Sequence, residues 1–411
     1  MTLVAFVADD FTGATDALWQ FRRFGLSGSL VTDIAHLHDR DDVIGLATTA
    51  RASADPVASA LPALRAVAAL GPRVVQYKVC STFDSSPSRG SIGAVIAALR
   101  GAGLARGAVP VLAAQPEFGR YTWFANHFVR AGDEVVRLDR HPPARDHPVT
   151  PATEADLRVR LAEQGAGPVG WLPAGASEER YLARRAGAAV VADAMTDAHL
   201  VSLGRLLLGV AGEEPLYCVG SGGLSYALAT ALTSRCRPPD DAGAVLGPAA
   251  PVLVVSGSRS PVTARQIDVA EAAGWAVLDV SGGPGTIARA EANLREGRHT
   301  IVQSTRGPSR AGVGDLLGGV AVAAVRKGLV GRLVVAGGDT SGLVVTALGA
   351  RALDVTATLA VGGPVCVLAS DDPACDGLEV ALKGGQVGGE DFFLSAAGGT
   401  APRTTHQVNM I

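Results

Sequence analysis

The sequence predicts an α/β protein of two domains, each built on a mostly parallel sheet, and three observations carry this prediction. The chain has 411 residues, more than the ~100–200 residues of one ordinary domain. Continuous apolar runs rich in β-branched residues alternate with Ala- and Leu-rich stretches, as in strands that helices cover on both faces. A segment rich in Pro, Gly and Asp, 238–251, has no periodicity and separates the expected domains 1–237 and 252–411.

The predicted strands follow one another regularly along the chain. In the expected N-terminal domain they are LVAFVAD, VIGLATT, RVVQYKV, VPVLAA, EVVRL, AVVAD and LYCVG. In the expected C-terminal domain they are VLVVS, WAVLDV, HTIVQST, RLVVA and PVCVLAS. Parallel strands joined by helices bring the carboxyl ends of several strands to one edge of each sheet, where α/β proteins bind their ligands.

Net charge, cysteine spacing and hydrophobicity indicate which partners and metal sites to exclude. The formal net charge of −3 offers no basic face for nucleic acid. Five scattered cysteines without a Cys-x-x-Cys pair argue against a disulfide framework and a zinc site. No apolar run reaches the ~20 residues of a membrane span, and the N-terminus lacks a cleavable leader. We therefore expect a cytoplasmic protein that has no nucleic-acid or membrane partner and no directly bound metal.

Two adjacent acids end the first predicted strand. Asp9 and Asp10 follow VAFVA, and Thr12 and Gly13 open the helix that comes next. Neighbouring carboxylates repel each other, so a site that binds hydroxyl groups or cations would explain the pair. The alternative is that one acid caps the helix and the other is solvated.

Cations and hydroxyls follow other predicted strands of the same domain. Arg51 comes after VIGLATT, and the segment after RVVQYKV adds Lys78, Ser81, Asp84 and Arg89. Arg and Lys bind carboxylates, and Asp accepts hydrogen bonds from hydroxyls, so this set suits a small polyhydroxylated acid. Each residue alone is more often an exposed loop residue, but their recurrence at several strand ends favours a site.

Three glycine-rich turns in the expected C-terminal domain indicate a nucleotide or phosphate site. Small residues there let backbone N–H groups and hydroxyls approach an anion at a helix N-terminus, although ordinary turns and caps use the same residues. A lysine beside paired glycines would add a positive charge. The candidate residues in the three turns are Ser256, Gly257 and Ser258; Gly337, Gly338, Asp339 and Thr340; and Lys383 and Gly384.

Six segments, taken in order, resemble the four-carbon acid sugar kinase family. They are ADDFTGATDA, KVCSTFDSSP with GSIG, HPVTPATEADL, VSGSRSPVTARQI, GGDTSGLVVTALG and LKGGQVGGEDFF. The resemblance covers nearly the whole chain and implies an N-terminal domain that binds a sugar acid, a C-terminal domain that binds ATP, and an active site in the interdomain cleft. Members phosphorylate threonate, erythronate, 3-oxo-tetronates or related branched sugar acids. The resemblance is also compatible with a homodimer.

The motifs of the family can be matched residue by residue. Its Asp-Asp-x-Thr-Gly falls on Asp9 to Gly13, and its strand-end arginine and lysine fall on Arg51 and Lys78. Asp339 stands where the family has Glu in its Gly-Gly-Glu-Thr turn, and Arg259 stands where many members have Cys. These departures leave the kinase expectation intact and the substrate open.

The resemblance implies ATP-dependent phosphorylation of a sugar-acid hydroxyl. Mg²⁺, bound through the phosphates, and turn amides would hold ATP, while Asp10 or Asp9 would orient or deprotonate the hydroxyl, with Asp84 in reserve. Arg51, Lys78 and Arg89 would hold the carboxylate of the acid.

Other function classes remain as alternatives. One is a nucleotide-dependent dehydrogenase or synthetase of small acids, although GSGGLSYAL falls short of a dinucleotide fingerprint. Another is a non-catalytic protein that binds sugar acid and nucleotide. The sequence leaves open the sugar acid, the phosphorylated hydroxyl, the identity of the base and the oligomeric state.

Overall fold

The computed structural model describes residues 2–147, 149–238, 246–282, 284–307 and 312–398. The described chain forms two compact units. Unit 1 comprises residues 2–238 together with Ala350–Val355. Unit 2 comprises the described residues between 246 and 349 and residues 356–398.

Unit 1 contains eleven complete strands and eight α-helices among its described residues. The strands are β1 Val4–Ala8, β2 Gly28–Val31, β3 Val43–Ala47, β4 Val74–Lys78, β5 Val109–Leu112, β6 Arg120–Trp123, β7 Asn126–Ala131, β8 Glu134–Arg137, β9 Val169–Leu172, β10 Ala189–Ala192 and β11 Leu216–Gly220. The helices are α1 Phe11–Arg22, α2 Pro56–Ala68, α3 Ile92–Gly101, α4 Pro142–Arg145, α5 Leu157–Glu163, α6 Glu178–Leu182, α7 Asp197–Val210 and α8 Gly222–Thr233.

The main sheet of unit 1 is parallel in the order β2-β3-β1-β4-β11-β5-β10-β9. Residues 350–355 add an antiparallel edge beside β2. Both faces of β1 and β4 are buried, as expected for strands covered by helices on both sides. The parallel register places Ala8 level with Ala47 and Lys78, so the segments that follow β1, β3 and β4 leave the same edge.

Unit 2 contains a second sheet of the same kind. Its strands are β12 Val252–Ser256, β13 Ala276–Asp279, β14 Thr300–Gln303, β15 Arg332–Ala336, the second part of β16 Ala350–Ala360, β17 Gly363–Ser370 and β18 Glu379–Lys383. The first part of β16, Ala350–Val355, belongs to unit 1. Its helices are α9 Pro261–Ala272, α10 Pro284–Arg295, α11 Val313–Arg326, α12 Gly338–Ala347 and α13 Phe392–Gly398. The order β13-β14-β12-β15-β18 is parallel, and β17 pairs with β18 in the antiparallel sense. The predicted α/β class with mostly parallel sheets is confirmed.

The sequence did not predict six strands of the structure, β2, β6, β7, β9, β16 and β18, and two of its predictions differ from the structure in other ways. The predicted strand EVVRL is β8, which lies in a separate antiparallel sheet with β6 and β7 and is largely exposed, because it joins a hairpin rather than a crossover unit. Residues 350–355, which lie inside the expected domain 252–411, pack with unit 1 through their pairing with β2. Residues 239–245 of the expected linker and residues 399–411 lie outside the described ranges. None of the described helices is long and apolar enough to cross a membrane.

Candidate functional site

The first candidate site in unit 1 lies where β1, β3 and β4 end. The backbone N–H of Asp9 donates to the carbonyl of Lys78 over 3.0 Å, and the N–H of Arg51 donates to the carbonyl of Asp9 over 3.0 Å. These bonds fix the three chain segments side by side. Five buried or nearly buried ionisable residues meet there, and we call them the acid–cation cluster: Asp9, Asp10, Asp16, Arg51 and Lys78.

Arg51 joins the two adjacent acids. Its Nε and Nη2 donate to Asp9 Oδ2 and Oδ1 over 3.1 and 2.5 Å, and its Nη1 lies 2.7 Å from Asp10 Oδ2. A guanidinium has five N–H donors, so two remain after these contacts. The acids neutralise Arg51, and their proximity holds the pKa of its guanidinium far above the ordinary value despite its burial.

Asp10 caps the N-terminus of α1. Its Oδ1 accepts from the Gly13 N–H over 2.8 Å, and its Oδ2 accepts from the Thr12 hydroxyl over 2.5 Å. Burial alone would raise the pKa of Asp10, but Arg51, Thr12 and Gly13 stabilise the carboxylate, and the net pKa lies below the ordinary value. Asp10 is therefore an ionised N-cap.

Asp9 differs from Asp10 although the two residues are adjacent. Burial raises the pKa of Asp9 to about 6, the charge of Asp10 adds to that rise, and Arg51 opposes it. No capping N–H accompanies the Arg51 contacts of this carboxylate in the described residues. A carboxylate whose pKa lies near neutrality is suited to accept a proton.

Lys78 and Asp16 form the second half of the acid–cation cluster. Lys78 Nζ lies 3.9 Å from Asp16 Oδ2 and donates to the Val79 carbonyl over 3.2 Å. The Asp16 carboxylate also accepts from the side-chain amides of Gln20 and Gln115. Burial raises its pKa, and Lys78 opposes that rise.

Sequence reasoning missed Asp16 and Gln115. The available signal for Asp16 was an acid followed directly by the apolar residues Ala17 and Leu18 in a predicted helix, all three of which are buried in the structure. Gln115 has no comparable signal, because it reaches Asp16 only through the fold of a segment that is 99 residues away in the chain.

Gly13 is required by close approach. A Cβ at this position would lie 2.6 Å from Asp10 Oδ1, 2.9 Å from Lys78 Nζ and 3.5 Å from Arg51 Nη2. The first two distances are shorter than ordinary contacts, so any side chain would displace these charged groups. The expected Thr12–Gly13 pair thus lies inside the acid–cation cluster.

Three expected substrate-binding residues have other contacts. The Asp84 carboxylate accepts a short hydrogen bond from the Thr150 hydroxyl. The Ser81 carbonyl lies 2.7 Å from His127 Nε2, and Arg89 Nη1 donates to the Ala52 carbonyl over 2.7 Å. Arg89 thus reaches the turn that carries Arg51, whereas the recorded bonds of Ser81 and Asp84 run to the β6–β7 hairpin and to the segment before α5.

The second candidate site lies in unit 2, where β12, β15 and β18 end. The N–H groups of Gly257 and Ser258 both donate to the Ala336 carbonyl, over 3.0 and 3.1 Å, and Gly337 N–H donates to the Lys383 carbonyl over 3.0 Å. A Cβ at Gly257 would lie 2.1 Å from Thr340 Oγ1. The three glycine-rich turns are therefore in contact, as the sequence predicts.

Most hydrogen-bond donors of the turn after β12 already have partners within unit 2. Besides the two amides, the Ser256 hydroxyl bonds Thr305 Oγ1 over 2.8 Å, and the Ser258 hydroxyl lies 3.0 Å from Thr263 Oγ1. The N-terminus of α12 is different. Gly337, its N-cap residue, has φ 119°, and no described side chain caps the helix. The amides of Gly338 and Thr340 therefore lie in an uncapped first turn of a ten-residue helix, a suitable cradle for an anion.

Lys383 points into unit 2 rather than outwards. Its side chain is fully buried, its Nζ donates to Thr263 Oγ1 over 3.1 Å, and the rings of Phe392 and Phe393 lie 5.6 and 5.9 Å away. Burial lowers its pKa to about 7. Gly384, the next residue, begins the turn that α9 anchors.

Thr263 and Gln266 on α9 are residues that sequence reasoning missed. Thr263 Oγ1 donates to the Gly385 carbonyl over 2.9 Å, and Gln266 Nε2 donates to the carbonyls of Val387, Gly388 and Gly389. Both side chains are fully buried. Their spacing of three along a helix was the available signal.

Comparison with known proteins identifies the two units. A model of a sugar-binding N-terminal domain matches residues 4–228, and a model of a nucleotide-binding C-terminal domain matches residues 253–393. The chain is 36% identical to a 3-oxo-isoapionate kinase of Paraburkholderia graminis, over 95% of this chain and 93% of that protein. The chain belongs to the four-carbon acid sugar kinase family. Its predicted family, two-domain α/β class and kinase activity are confirmed.

Further relatives agree with this assignment. A 3-oxo-tetronate kinase of Pseudomonas fluorescens is 34% identical over 96% of each chain. A solved structure from Salmonella typhimurium LT2, described provisionally as a tRNA synthase, matches 96% of this chain and 98% of that one with a TM-score of 0.76 at 25% sequence identity. The similarity covers both units, so the enzyme is a phosphotransferase with a complete sugar-binding and nucleotide-binding pair of domains.

Proposed function

We propose that the enzyme transfers the γ-phosphoryl group of ATP to a hydroxyl of a 3-oxo sugar acid with four carbons or with a branched five-carbon skeleton. The observation that carries this proposal is the near full-length similarity to a 3-oxo-isoapionate kinase and a 3-oxo-tetronate kinase. The acid–cation cluster in the sugar-binding unit supports it, because a small acid with several oxygens needs both cationic donors and carboxylate acceptors.

We assign the role of base to Asp9. The attacking hydroxyl loses its proton to the Asp9 carboxylate, its oxygen forms the new bond to the γ-phosphorus, and ADP leaves with the electrons of the bond that breaks. A pKa of about 6 leaves Asp9 mostly ionised at neutral pH and still able to hold the proton. Asp10 is less suited, because its oxygens serve Gly13, Thr12 and Arg51.

Arg51 and Lys78 hold the substrate in this proposal. Arg51 retains two N–H donors beyond its contacts with Asp9 and Asp10. Lys78 has three N–H donors, of which one goes to the Val79 carbonyl, while Asp16 lies 3.9 Å from its Nζ as an ion pair. These donors bind the carboxylate and the oxo group of the acid, and Thr12 and Gly13 shape the floor of the site.

ATP binds to unit 2 in this proposal. The amides of Gly338 and Thr340 at the uncapped N-terminus of α12 bind phosphate oxygens, and the glycines of the three turns let the phosphates approach the backbone. Mg²⁺ enters bound to the phosphates and neutralises their charge. No group of three His, Cys, Asp or Glu residues arranged for metal binding occurs in the described part of the chain.

Measurement of ADP release with a panel of acids tests the function. The panel contains 3-oxo-tetronate and 3-oxo-isoapionate, with threonate and erythronate as counterparts that lack the oxo group. We expect a 3-oxo acid to be turned over at least about tenfold more efficiently than its counterpart, since a buried site built for a polar group rejects the analogue without it. ADP release that no acid raises above the acid-free rate would overturn the proposal.

We further propose a cytoplasmic enzyme that acts without a nucleic-acid or membrane partner, as a monomer or homodimer. The net charge of −3 and the absence of a disulfide among the five cysteines support this proposal. Light scattering at micromolar concentration distinguishes the two oligomeric states.

A further inference from the structure

Lys383 is a buried cation that no acid neutralises. Its side chain is fully buried at the end of β18, and no carboxylate in the described residues lies within 4.0 Å of its Nζ. Its polar contact is the Thr263 hydroxyl, and the faces of Phe392 and Phe393 cover it. Burying an unpaired charge is costly, so a protein retains one mainly where it serves a ligand or a network.

The hydrogen bonds around Thr263 have one consistent direction, which the Gly385 carbonyl sets. An ammonium only donates and a carbonyl only accepts. The Lys383 Nζ therefore donates to Thr263 Oγ1 over 3.1 Å, and Thr263 gives its single hydrogen to the Gly385 carbonyl over 2.9 Å. The Ser258 hydroxyl, 3.0 Å away, must then donate to the remaining lone pair of Thr263.

This direction removes Ser258 from the phosphate donors. Its one hydrogen points to Thr263, and its oxygen accepts from the Ser260 N–H over 3.3 Å. The Ser258 N–H is likewise bound to the Ala336 carbonyl. The hydrogen bonds from Lys383 to Thr263 and from Ser258 to Thr263 thus connect the turn after β18 with the turn after β12. The amides that remain for phosphate lie at the N-terminus of α12. The backbone of Lys383 also contacts the start of α12, because its carbonyl accepts from the N–H of Gly337, the N-cap residue.

We propose that Lys383 strengthens nucleotide binding without touching the nucleotide: its ammonium holds Thr263 in place between the turns after β12 and β18, and no acid among the described residues neutralises its positive charge. The proposal rests on the proposed function only in that unit 2 binds the phosphates of ATP. It makes Lys383 a positioning residue and makes Thr263 the link through which it acts.

The surroundings of Lys383 make its protonation sensitive to a bound anion. Apart from one ion pair, the charged residues on the described elements around it are exposed: Arg265, Asp268 and Glu271 on α9, Asp339 on α12, and Glu390 and Asp391 before α13. The exception is buried Arg332 of β15, which pairs with Glu379 at the opposite end of β18 from Lys383. Arg265 pairs with Glu390, and Asp268 pairs with Arg306. Burial lowers the pKa of Lys383 to about 7, and a bound phosphate raises it again. Nucleotide affinity should therefore fall as the pH rises above 7.

The same burial has a consequence for stability. The unfolded chain keeps Lys383 protonated up to a pKa near 10.5, whereas the folded chain loses that proton near pH 7. Below pH 7 the folded protein carries the full cost of the buried charge, and the cost diminishes as the pH rises from 7 to 10.5. Lys383→Met removes the charge while keeping the shape, so the ligand-free variant should be more stable than the wild type, most clearly at pH 6.

The experiment measures the Kd of Mg·ADP by calorimetry between pH 6 and 8.5, together with the Tm of each ligand-free protein. The variants are Lys383→Met, Thr263→Val, the conservative Thr263→Ser, and Lys327→Met as the same change at an exposed lysine of unit 2. We expect Lys383→Met and Thr263→Val to raise the Kd about tenfold at pH 6.5, a change expected when a charged hydrogen bond is lost. Thr263→Ser should restore binding, and Lys327→Met should leave it unchanged.

Two further results complete the test. The Kd of Lys383→Met should no longer rise with pH, and its Tm at pH 6 should exceed that of the wild type. Binding by Lys383→Met that equals wild-type binding at every pH would overturn this inference while leaving the proposed function in place. A lowered Tm with unchanged binding would do the same, since it indicates a structural role only. Failure of the wild type to bind Mg·ADP would overturn both.

Discussion

The two units of the enzyme treat buried charge in opposite ways. In unit 1, each buried acid of the acid–cation cluster lies against a cation: Asp9 and Asp10 against Arg51, and Asp16 against Lys78. In unit 2, Lys383 is equally buried, and the partners of its ammonium among the described residues are one hydroxyl and two aromatic rings. Buried charges that are paired cost far less than isolated ones. In unit 1 each buried acid therefore has a cationic partner before substrate binds, whereas unit 2 carries a buried positive charge that an anion can neutralise.

This difference matches the two ligands. A sugar-acid hydroxyl must lose a proton in the reaction, and three carboxylates held by two cations leave one of them, Asp9, with a pKa near 6. A nucleotide brings several negative charges, and unit 2 meets them with the open amides of α12 and with Lys383. A carboxylate that accepts a proton works best where nearby negative and positive charges are nearly equal, whereas phosphate binding needs an excess of positive charge.

The largest expected effect is that of Asp9→Asn. Removing the base should lower kcat by about 100-fold or more, while the Kd for Mg·ADP stays within about twofold of the wild type, because Asp9 lies in unit 1. Steady-state kinetics and calorimetry measure the two quantities.

Asp10→Asn is the matched variant, since asparagine retains the N-cap of α1. Its kcat should fall less than that of Asp9→Asn. A greater loss in Asp10→Asn would reverse the roles that we assign to the two acids.

The second effect concerns the glycine turns of unit 2. In Gly257→Ala the new Cβ would lie 2.1 Å from Thr340 Oγ1, so the Thr340 side chain or the start of α12 must shift. We expect the Kd for Mg·ADP to rise about 30-fold, as when charge-assisted hydrogen bonds are lost. Gly319→Ala is the control, because a Cβ at that exposed helical position meets no atom within 4 Å. It should leave binding unchanged and stabilise the fold by about 0.5–1 kcal/mol. Equal binding by both variants would argue against the phosphate cradle.

A smaller effect is expected at Asp16. Asp16→Asn keeps the contacts with Gln20 and Gln115 but removes the charge that faces Lys78. Lys78 should then hold the acid substrate less accurately, and we expect the KM for the acid to rise about tenfold with little change in kcat, as for a weakened charged hydrogen bond. A loss in kcat alone would contradict a role for Asp16 in substrate positioning.

The smallest effect is a pH dependence. Since Asp9 must be ionised to act as the base, kcat/KM for the acid should fall as the pH falls through about 6, about two units above an ordinary aspartate. The folded protein keeps the Asp9 proton up to that pH, whereas the unfolded chain loses it near 3.8. Stability relative to Asp9→Asn should therefore decrease as the pH rises from about 4 to 6. An acid limb near pH 4 would exclude Asp9 as the group that titrates.

The sequence predicted these features to different degrees in the two units. The strand-end rule located Asp9, Asp10, Arg51 and Lys78, because the carboxyl ends of parallel strands share one edge. Asp16 could not be found in this way, since it contributes from the second turn of a helix whose burial depends on the fold. The antiparallel hairpin of β6 to β8 also escaped prediction, because short apolar runs such as EVVRL read alike in both kinds of sheet.

The contrast is clearest at Lys383. A lysine before two glycines suggests a cation that reaches out to phosphate, but the side chain of a strand's last residue points to one face or the other according to the register of the sheet. Only the three-dimensional placement of α9 and α13 shows that Thr263, Phe392 and Phe393 surround its ammonium. The same placement shows that the first turn of α12 holds the open amides, whereas Ser258 does not donate to the site.

The division of the two ligands between the units is tested most directly by measuring each binding separately in two glycine variants. Gly13→Ala places a Cβ 2.6 Å from Asp10 Oδ1 and 2.9 Å from Lys78 Nζ, and Gly257→Ala places one 2.1 Å from Thr340 Oγ1. Calorimetric titration with the 3-oxo acid and with Mg·ADP should show that Gly13→Ala weakens the acid alone and Gly257→Ala the nucleotide alone. If Gly13→Ala instead weakens Mg·ADP, or Gly257→Ala weakens the acid, the assignment of one ligand to each unit is contradicted.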